Sequence, residues 1–270
     1  VYTQVTAEAV AEQVGQKPNV KAALLTNPVY QGFCPDIKSI SEIVRKNNVK
    51  LLVDEAQGPH FGFSSALPKS AGEFADAWVQ SPHKMLTSLT QSAWLHVKGD
   101  RINKRHLRTF LKLVTSTSPS YILMASLDMA RGIMEADGKA LTERALELAD
   151  TARCYINKFT PFYAVGAEVI GKNGIYDIDL SRLMINVSVS GYTGYEVERL
   201  LRNNFNIYAE YADLYNVYFL VTFSNTKNDI NRLVKALSSL KTKGKFQNFI
   251  IWTDKLPKVV MEPRTAFYTP

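Results

Sequence analysis

The sequence predicts an α/β protein in two parts, a larger domain built on a mainly parallel sheet and a smaller α+β domain. Three observations predict this fold class. Short apolar runs alternate with helical patterns at first, helical spacing dominates residues 101–158, and a second mixture of strands and helices follows. We therefore expect a larger domain over residues 1–158 and a smaller one over residues 159–270.

The first elements form a βαβ unit. Residues 19–28 contain a short apolar run stopped by Asn-Pro, which predicts a buried strand and a turn. Asp36 precedes a helical pattern with one apolar face, formed by Ile37, Ile40, Ile43 and Val44. Residues 49–56 (VKLLVDEA) predict a second buried strand that ends in acidic residues. A strand, a helix and a strand within about 35 residues indicate a parallel pair.

Further strands and helices follow along the chain. Two short strands are predicted at residues 75–80 and 92–97. Three helices are predicted from apolar residues at three- and four-residue spacing, at residues 102–114, 121–135 and 140–159. The smaller domain combines strands with two helices, at residues 184–190, 195–204, 206–212, 216–223 and 229–240.

Composition and charge argue against some classes of function. The 46% hydrophobic fraction is typical of soluble proteins, and no apolar run is long enough to span a membrane. The chain does not start with a signal segment, so we expect a cytoplasmic protein with no membrane partner. The net charge is +7, but the densest basic cluster, residues 98–108, is interrupted by Ile102 and Leu107. A solvated helix face explains this cluster better than a nucleic-acid site.

The two cysteines, Cys34 and Cys154, lie far apart and lack the spacing of metal ligands. This usage is typical of a reducing compartment, and it predicts no metal site. We expect both to be small buried hydrophobes or unreactive thiols.

The residues that carry chemistry lie between Asp54 and Lys84. Asp54 stands where an apolar strand ends, and Lys84 follows the next strand by a few residues. Because open α/β sheets bind ligands at the carboxyl ends of parallel strands, we expect both side chains to face one crevice. Pyridoxal phosphate (PLP) needs such a pair, an amine to hold its aldehyde and a carboxylate to keep its ring nitrogen protonated. Ser81 and His83 flank the lysine and can bind phosphate.

Each of these residues also has a simpler structural explanation. An aspartate at a strand end is often a helix cap or turn residue, and a lone lysine is usually exposed. His83 and His60 are also consistent with core histidines that bond to backbone carbonyls. The combination of a strand, Asp-Glu-Ala, about thirty residues, a second strand and Ser-x-His-Lys is more specific than any single member.

Two segments carry a resemblance to a known family. Residues 53–63 (VDEAQGPHFGF) and 75–96 (ADAWVQSPHKMLTSLTQSAWLH) closely resemble the Orn/Lys/Arg decarboxylase group of fold-type-I PLP enzymes. Three further stretches agree with the pattern of that family, at residues 115–131, 193–222 and 261–270. The resemblance implies a PLP-dependent transferase-like large domain, a small C-terminal α+β domain, and decarboxylation of a basic amino acid.

The resemblance implies a role for each matching residue. Lys84 would bind PLP covalently, and Asp54 would pair with the protonated ring nitrogen. Ala56 would pack its methyl group on one face of the ring. Ser81 and His83 would contact the phosphate, and His83 would also serve in proton transfer.

The resemblance also implies a homodimer or a higher homo-oligomer, with active sites at the dimer interface. The loop at residues 115–118 would then place Ser116 and Thr117 against the cofactor phosphate of the partner subunit. A hydroxyl-rich turn and helix cap before Pro119 explains this loop equally well.

Two departures from the family pattern matter. Gln57 stands where the pattern usually has His, which leaves a proton-transfer role there without support. The large domain of the family starts with a small-residue phosphate loop and a residue that stacks on the cofactor, whereas residues 1–10 match a later segment. We therefore expect these 270 residues to be an internal piece of a longer protein, inactive alone.

Several functions remain open from the sequence. Arginine is favoured as substrate over lysine or ornithine because the resemblance is strongest to the compact biosynthetic type, which makes polyamine precursors. Another fold-type-I activity, such as an aminotransferase or aldolase, would share Asp54 and Lys84. A truncated, non-catalytic homologue would act as a binding or regulatory subunit. A basic nucleic-acid-binding domain is least favoured, because no such motif is present.

Overall fold

The computed structural model describes residues 3–17, 19–244 and 258–269, which form ten strands and eight α-helices. The elements of the first part are α1 (Ala7–Gln16), β1 (Ala22–Thr26), β2 (Phe33–Cys34), α2 (Ile37–Lys46), β3 (Lys50–Asp54), β4 (Ala77–Gln80), α3 (Pro82–Met85), β5 (Trp94–Val97), α4 (Lys104–Val114) and α5 (Tyr121–Phe159). Those of the second part are β6 (Tyr163–Ala164), β7 (Asp177–Ile178), β8 (Arg182–Asn186), α6 (Gly194–Phe205), β9 (Tyr211–Ala212), β10 (Asn216–Leu220), α7 (Lys227–Ser238) and α8 (Pro263–Tyr268).

A four-stranded sheet in the order β1-β3-β4-β5 forms the base of the first part. Its first three strands are parallel, and β5 runs antiparallel to β4. Helix α2 is capped by Asp36, whose carboxylate accepts a hydrogen bond from the Ser39 N–H. The predicted apolar face of α2, including Ile40 and Val44, is buried in the core of this layer. The predicted βαβ unit and parallel pairing are confirmed.

Strand β1 is present, but the prediction that it is buried is wrong. It lies at the edge of the sheet among the described residues, and the Leu24 side chain is 72% exposed. Ala23 and Leu25 point to the other face and pack on the cluster that contains α1 and α2 side chains. An apolar run predicts a strand, but it does not establish that a layer covers both faces.

The helices predicted at residues 121–135 and 140–159 are one continuous helix, α5, of 39 residues. Gly138 lies between the two predicted segments, and glycine is a weak helix former. A Cβ at this position would come within 2.5 Å of the Phe63 ring. Close packing against Phe63 therefore explains why a residue without a Cβ occupies this position inside the helix.

A second sheet, in the order β6-β8-β10-β9, is antiparallel throughout. Helices α6 and α7 contribute to its core, as do Leu148 and Ile156 from the second half of α5. The predicted strands and helices of the smaller domain are present, although β9 covers only the last two residues of its predicted range. Because α5 packs into this second core, the boundary that we place after residue 158 stays a prediction.

Two kinds of feature are absent from the described ranges. No helix there is long and apolar enough to cross a membrane. No three His, Cys, Asp or Glu side chains there are grouped as metal ligands. Both cysteines are free thiols; Cys34 is buried, which raises the pKa of its thiol, and Cys154 is exposed.

Candidate functional site

The predicted pair of strand ends lies at one edge of the parallel sheet. Asp54 is the last residue of β3, and its Cα lies opposite that of Val79 in the neighbouring parallel strand β4. Lys84 lies just beyond the end of β4, in the short helix α3. The structure therefore brings both elements to the edge where open α/β sheets bind ligands. The roles of the two side chains stay predictions.

The Asp54 carboxylate is half-buried and oriented by its own turn. Its Oδ1 accepts a hydrogen bond of 2.9 Å from the Ala56 N–H. Gly58 closes the turn by donating its N–H to the Glu55 carbonyl at 2.9 Å. No hydrogen bond to the Asp54 Oδ2 occurs within the described ranges, so this oxygen is free to accept one from a ligand.

The segment around Lys84 presents uncommitted polar groups. Ser81 precedes α3, and its side chain makes no capping hydrogen bond. The Nδ1 of His83 is buried without a hydrogen-bond partner in the part of the chain that the structure describes. Lys84 is partly exposed, and no described carboxylate lies within 4 Å of its ammonium group. An unpaired amine and an unpartnered imidazole nitrogen are groups that a bound molecule can satisfy.

Glu55 is a site residue that the sequence analysis missed. Its side chain is fully buried, and its oxygens accept hydrogen bonds from the Ala71 N–H, the Gln80 Nε2 and the Ser70 Oγ. Burial raises the pKa of the Glu55 carboxyl to about 7, against the opposing effect of these donors. Successive side chains along a strand alternate between its two faces, so Glu55 lies on the opposite face from Asp54. This alternation is the signal in the sequence that would have indicated its burial.

A hydrogen-bonded chain leads from Glu55 to the antiparallel strand. The Oε1 of Gln80 lies 3.1 Å from the Nε2 of His96 in β5. The His96 ring stacks on Trp78, with centroids 4.7 Å apart and an interplanar angle of 11°. Burial lowers the pKa of His96, so the neutral ring is favoured and its Nε2–H donates to Gln80.

A buried polar cluster joins the two parts of the chain near this edge. Asp179 is fully buried; its Oδ2 lies 3.1 Å from the His60 Nε2 and 3.3 Å from the Arg182 Nε. Arg182 also donates to the Gln57 Oε1 at 2.7 Å. Although burial opposes ionisation, His60 and Arg182 hold the pKa of Asp179 below its usual value, helped by the Ser181 hydroxyl. His60 and Gln57 therefore have a structural role in this cluster.

The loop with Ser116 and Thr117 lies in an exposed region that we call the arm, formed by α4, residues 115–120 and residues 121–129. The Ser116 hydroxyl bonds only within its loop, to the backbone of Ser118. Ser120 rather than this loop caps α5. Among the described residues, no hydrogen bond joins Ser116 or Thr117 to the groups around Lys84. No residue of α4 is buried.

The chain is similar in sequence to known amino-acid decarboxylases. A family model described as Orn/Lys/Arg decarboxylase, major domain, matches residues 1–229. An arginine decarboxylase of Bacillus subtilis (strain 168) is 37% identical over 270 residues, which cover 98% of this chain and 55% of that protein. The chain thus spans about half the length of the curated relatives it matches.

Solved structures share the fold. Lysine decarboxylase A from Pseudomonas aeruginosa superposes with a TM-score of 0.70 at 22% identity, over 87% of this chain and 39% of that chain. A PLP-bound putative aminotransferase from Clostridium difficile 630 superposes with a TM-score of 0.61 at 15% identity, over 88% and 61% of the two chains. The predicted fold class, the α/β fold of fold-type-I PLP enzymes, is confirmed. At these identities the likeness carries no activity.

Proposed function

Because the chain belongs to the Orn/Lys/Arg decarboxylase family, we propose that it acts in a PLP-dependent decarboxylase of a basic amino acid. The observation that carries the proposal is the parallel pairing of β3 and β4, because Asp54 ends β3 and Lys84 lies in the short helix that follows β4. Arginine is the favoured substrate because the Bacillus subtilis relative is an arginine decarboxylase. The product would be a polyamine precursor.

The polar groups at this edge fit PLP. Lys84 offers an amine with no ion-pair partner in the described ranges, as covalent attachment to an aldehyde requires. Asp54 offers one oxygen to the ring nitrogen while the other is held by the Ala56 N–H. Ser81 and His83 carry uncommitted polar groups, which suit the cofactor phosphate.

When bound, PLP supplies an electron sink for the electron pair that remains after carbon dioxide leaves the substrate. The chain's own residues prepare this step. The Asp54 carboxylate would stabilise a proton on the ring nitrogen, because a nearby negative charge favours the protonated form. The Lys84 amine would hold the cofactor covalently through its aldehyde. The His83 Nδ1, which has no hydrogen-bond partner among the described residues, would hold or pass a proton.

For the assembly we propose a homodimer in which a second copy covers the arm. The arm exposes large apolar side chains, namely Phe110, Leu113, Val114, Tyr121, Ile122, Met124 and Met129. Large apolar side chains exposed along one segment are typical of an interface. The arm borders the candidate site, because the Leu89 N–H after α3 donates to the Ser126 hydroxyl of α5 at 3.2 Å. The homodimer would then carry Ser116 and Thr117 to the partner's site.

The other activities share parts of this geometry. An aminotransferase or aldolase would use the same lysine and carboxylate, and a non-catalytic homologue would keep the fold. The intact Lys84, Asp54 and His83 favour an enzyme. The 37% identity to an arginine decarboxylase favours decarboxylation over the other PLP reactions.

The proposed reaction is tested by supplying the full-length protein and PLP with arginine, lysine and ornithine in turn. We expect carbon dioxide release together with the amine that lacks the α-carboxyl group, fastest with arginine. Lys84→Ala should abolish the reaction. Lys139→Ala, which changes an exposed lysine on α5 outside the arm, is the matched control. A keto acid product with no carbon dioxide would instead indicate an aminotransferase.

A further inference from the structure

We propose that Glu55 is a positioning residue, which sets the spacing between the ends of β3 and β4 through its hydrogen bond to Gln80. This inference deepens the proposed function and rests on it, because the two strand ends carry Asp54 and Lys84. Glu55 contacts neither the substrate nor the cofactor in this proposal. It acts through the strand that leads to the lysine.

The position of Glu55 in the sheet supports this role. Asp54 and Val79 are the last paired residues of the two parallel strands, and the Glu55 N–H donates to the Val79 carbonyl at 2.9 Å. Beyond this rung the backbone ladder of β3 and β4 ends. The Gln80 Nε2 then donates to the Glu55 Oε2 at 2.6 Å, which adds one side-chain rung at the point where the strands would otherwise separate.

Both ends of this extra rung are anchored. On one side, the Ala71 N–H donates to the Glu55 Oε1 at 2.5 Å, and the Ser70 hydroxyl bonds Oε2 at 3.0 Å. On the other side, the Gln80 Oε1 lies 3.1 Å from His96, which is itself stacked on Trp78. The Gln80 amide is therefore held at both of its polar atoms and has one orientation.

A role in stability alone explains this carboxylate poorly. A buried carboxylate is costly to desolvate, and burial raises the pKa of Glu55 to about 7. Its three donors come from two separate segments, the 3-10 turn with Ser70 and Ala71 and the end of β4, and Gln80 links the second of these to His96 of β5. What the carboxylate contributes is the relative position of these segments.

The test uses full-length protein and three variants, Glu55→Gln, Gln80→Glu and the double exchange of both. The double variant again places a carboxylate opposite an amide, so it keeps the rung with its polarity reversed. The first measurement is amide hydrogen exchange without added PLP, in peptides covering residues 54–58 and 81–86. This readout does not depend on decarboxylase activity.

We expect Glu55→Gln to raise exchange about tenfold in both peptides, because the opening of this edge becomes local and frequent. Exchange in α7 should stay unchanged. With PLP and arginine, kcat should fall about tenfold while KM stays within about threefold, since orientation and not binding is lost. The double variant should recover both readouts to within about threefold of wild type.

The proposal is overturned if Glu55→Gln leaves exchange unchanged, raises it equally in α7, or if a folded double variant recovers nothing. Should the Glu55 variants fail to fold, Ser70→Ala gives the same decision. It removes a hydroxyl that donates to Glu55 and also accepts from the Gly72 N–H, so exchange should rise around residues 69–73 and less than threefold in residues 81–86. An equal rise in hydrogen exchange in residues 69–73 and in residues 81–86 would contradict the proposal that the hydrogen bond between Glu55 and Gln80 is the dominant contact. If hydrogen exchange in the variants changes as expected but the full-length protein shows no decarboxylation, only the proposed function is overturned.

Discussion

Helix α5 carries apolar side chains along its whole length, yet its two ends have opposite surroundings. Ile156 is completely buried in the core of the second sheet, and Leu148 and Ala152 lie beside it. Tyr121 and Ile122, at the other end, are 79% and 73% exposed. Apolar spacing therefore predicts that a face is to be covered, but it does not identify what covers it.

The buried end of α5 is also fixed by polar contacts. Arg153 donates to the carbonyls of Leu180 and Arg182 at 3.1 Å and 3.2 Å, which ties the helix to the segment that carries Asp179. The exposed end has its Ser120 cap and the hydrogen bond from the Leu89 N–H to Ser126. The buried end is therefore completed within this chain, whereas in the proposed homodimer a second copy would cover the arm.

The largest effect is expected from breaking the polar cluster at the buried end. Asp179→Asn would leave His60 and Arg182 without their buried carboxylate, at a cost of about 3–5 kcal/mol in the free energy of unfolding at pH 7. Because the folded-state pKa of Asp179 is lowered, its stabilisation is present above the unfolded-state pKa and is lost as the pH falls through the folded-state value.

Urea unfolding of the wild-type protein and of Asp179→Asn at pH 7, 5 and 3.5 measures the difference between their free energies of unfolding. This difference should be smallest at the lowest pH. Asp177→Asn is the matched control, because burial raises the pKa of Asp177 and its charge stabilises nothing comparable. A constant gap across this pH range, or an equal loss in the control, would contradict the role of the cluster.

A matched pair of substitutions compares the two ends of α5 directly. Ile156→Ala should cost about 2–5 kcal/mol in the free energy of unfolding, because it leaves a cavity in the core. Ile122→Ala should cost less than about 0.5 kcal/mol in dilute protein, because its side chain is exposed there. Chemical denaturation at low protein concentration measures both. Similar costs at the two ends would show that the contrast in burial is wrong.

The arm should control association more than stability. Ile122→Asp together with Val114→Asp should weaken self-association about a hundredfold or more, because charges replace apolar contacts. Val189→Asp is the control, since Val189 is an exposed apolar residue outside the arm. Sedimentation of the full-length protein across a concentration series separates these outcomes. A folded arm variant that still dimerises as wild type does would rule out this surface.

A mixing experiment sharpens the same point. A protein changed to alanine at Ser116 and Thr117, mixed with Lys84→Ala, should regain about a quarter to a half of wild-type activity. In such heterodimers one of the two sites has all of its wild-type parts. Absence of complementation between variants that each fold and dimerise would contradict a site shared between subunits.

Much of the site was predictable from local pattern. The apolar runs locate β3 and β4, and the residues that follow them locate Asp54 and Lys84, because parallel strands end at one edge. The pair of Glu55 and Gln80 was not predictable, since it depends on the register between strands 25 residues apart. The contact of Arg182 with Gln57 joins residues 125 apart and leaves no local pattern.

The errors in the fold have similar causes. The exposure of β1 and of the arm depends on whether another element packs against each of them. The spacing of apolar residues carries no information about such a neighbour. The reason for a glycine at position 138 inside α5 is the close approach of the Phe63 ring, which is distant in sequence. Strands β6 and β7 have two residues each, too few for a period of two to be recognised.

The covalent position of the cofactor tests the proposed function most directly. Full-length protein would be incubated with PLP, reduced with borohydride, digested, and mapped by mass spectrometry. We expect the pyridoxyl phosphate adduct on Lys84 and on no other lysine at comparable yield, and no adduct in Lys84→Ala. Lys98→Ala should keep the adduct, because this lysine is hydrogen-bonded to the backbone carbonyls of Gly72 and Glu73. An adduct on a different lysine, or one that persists in Lys84→Ala, would contradict the assignment of this edge as the PLP site.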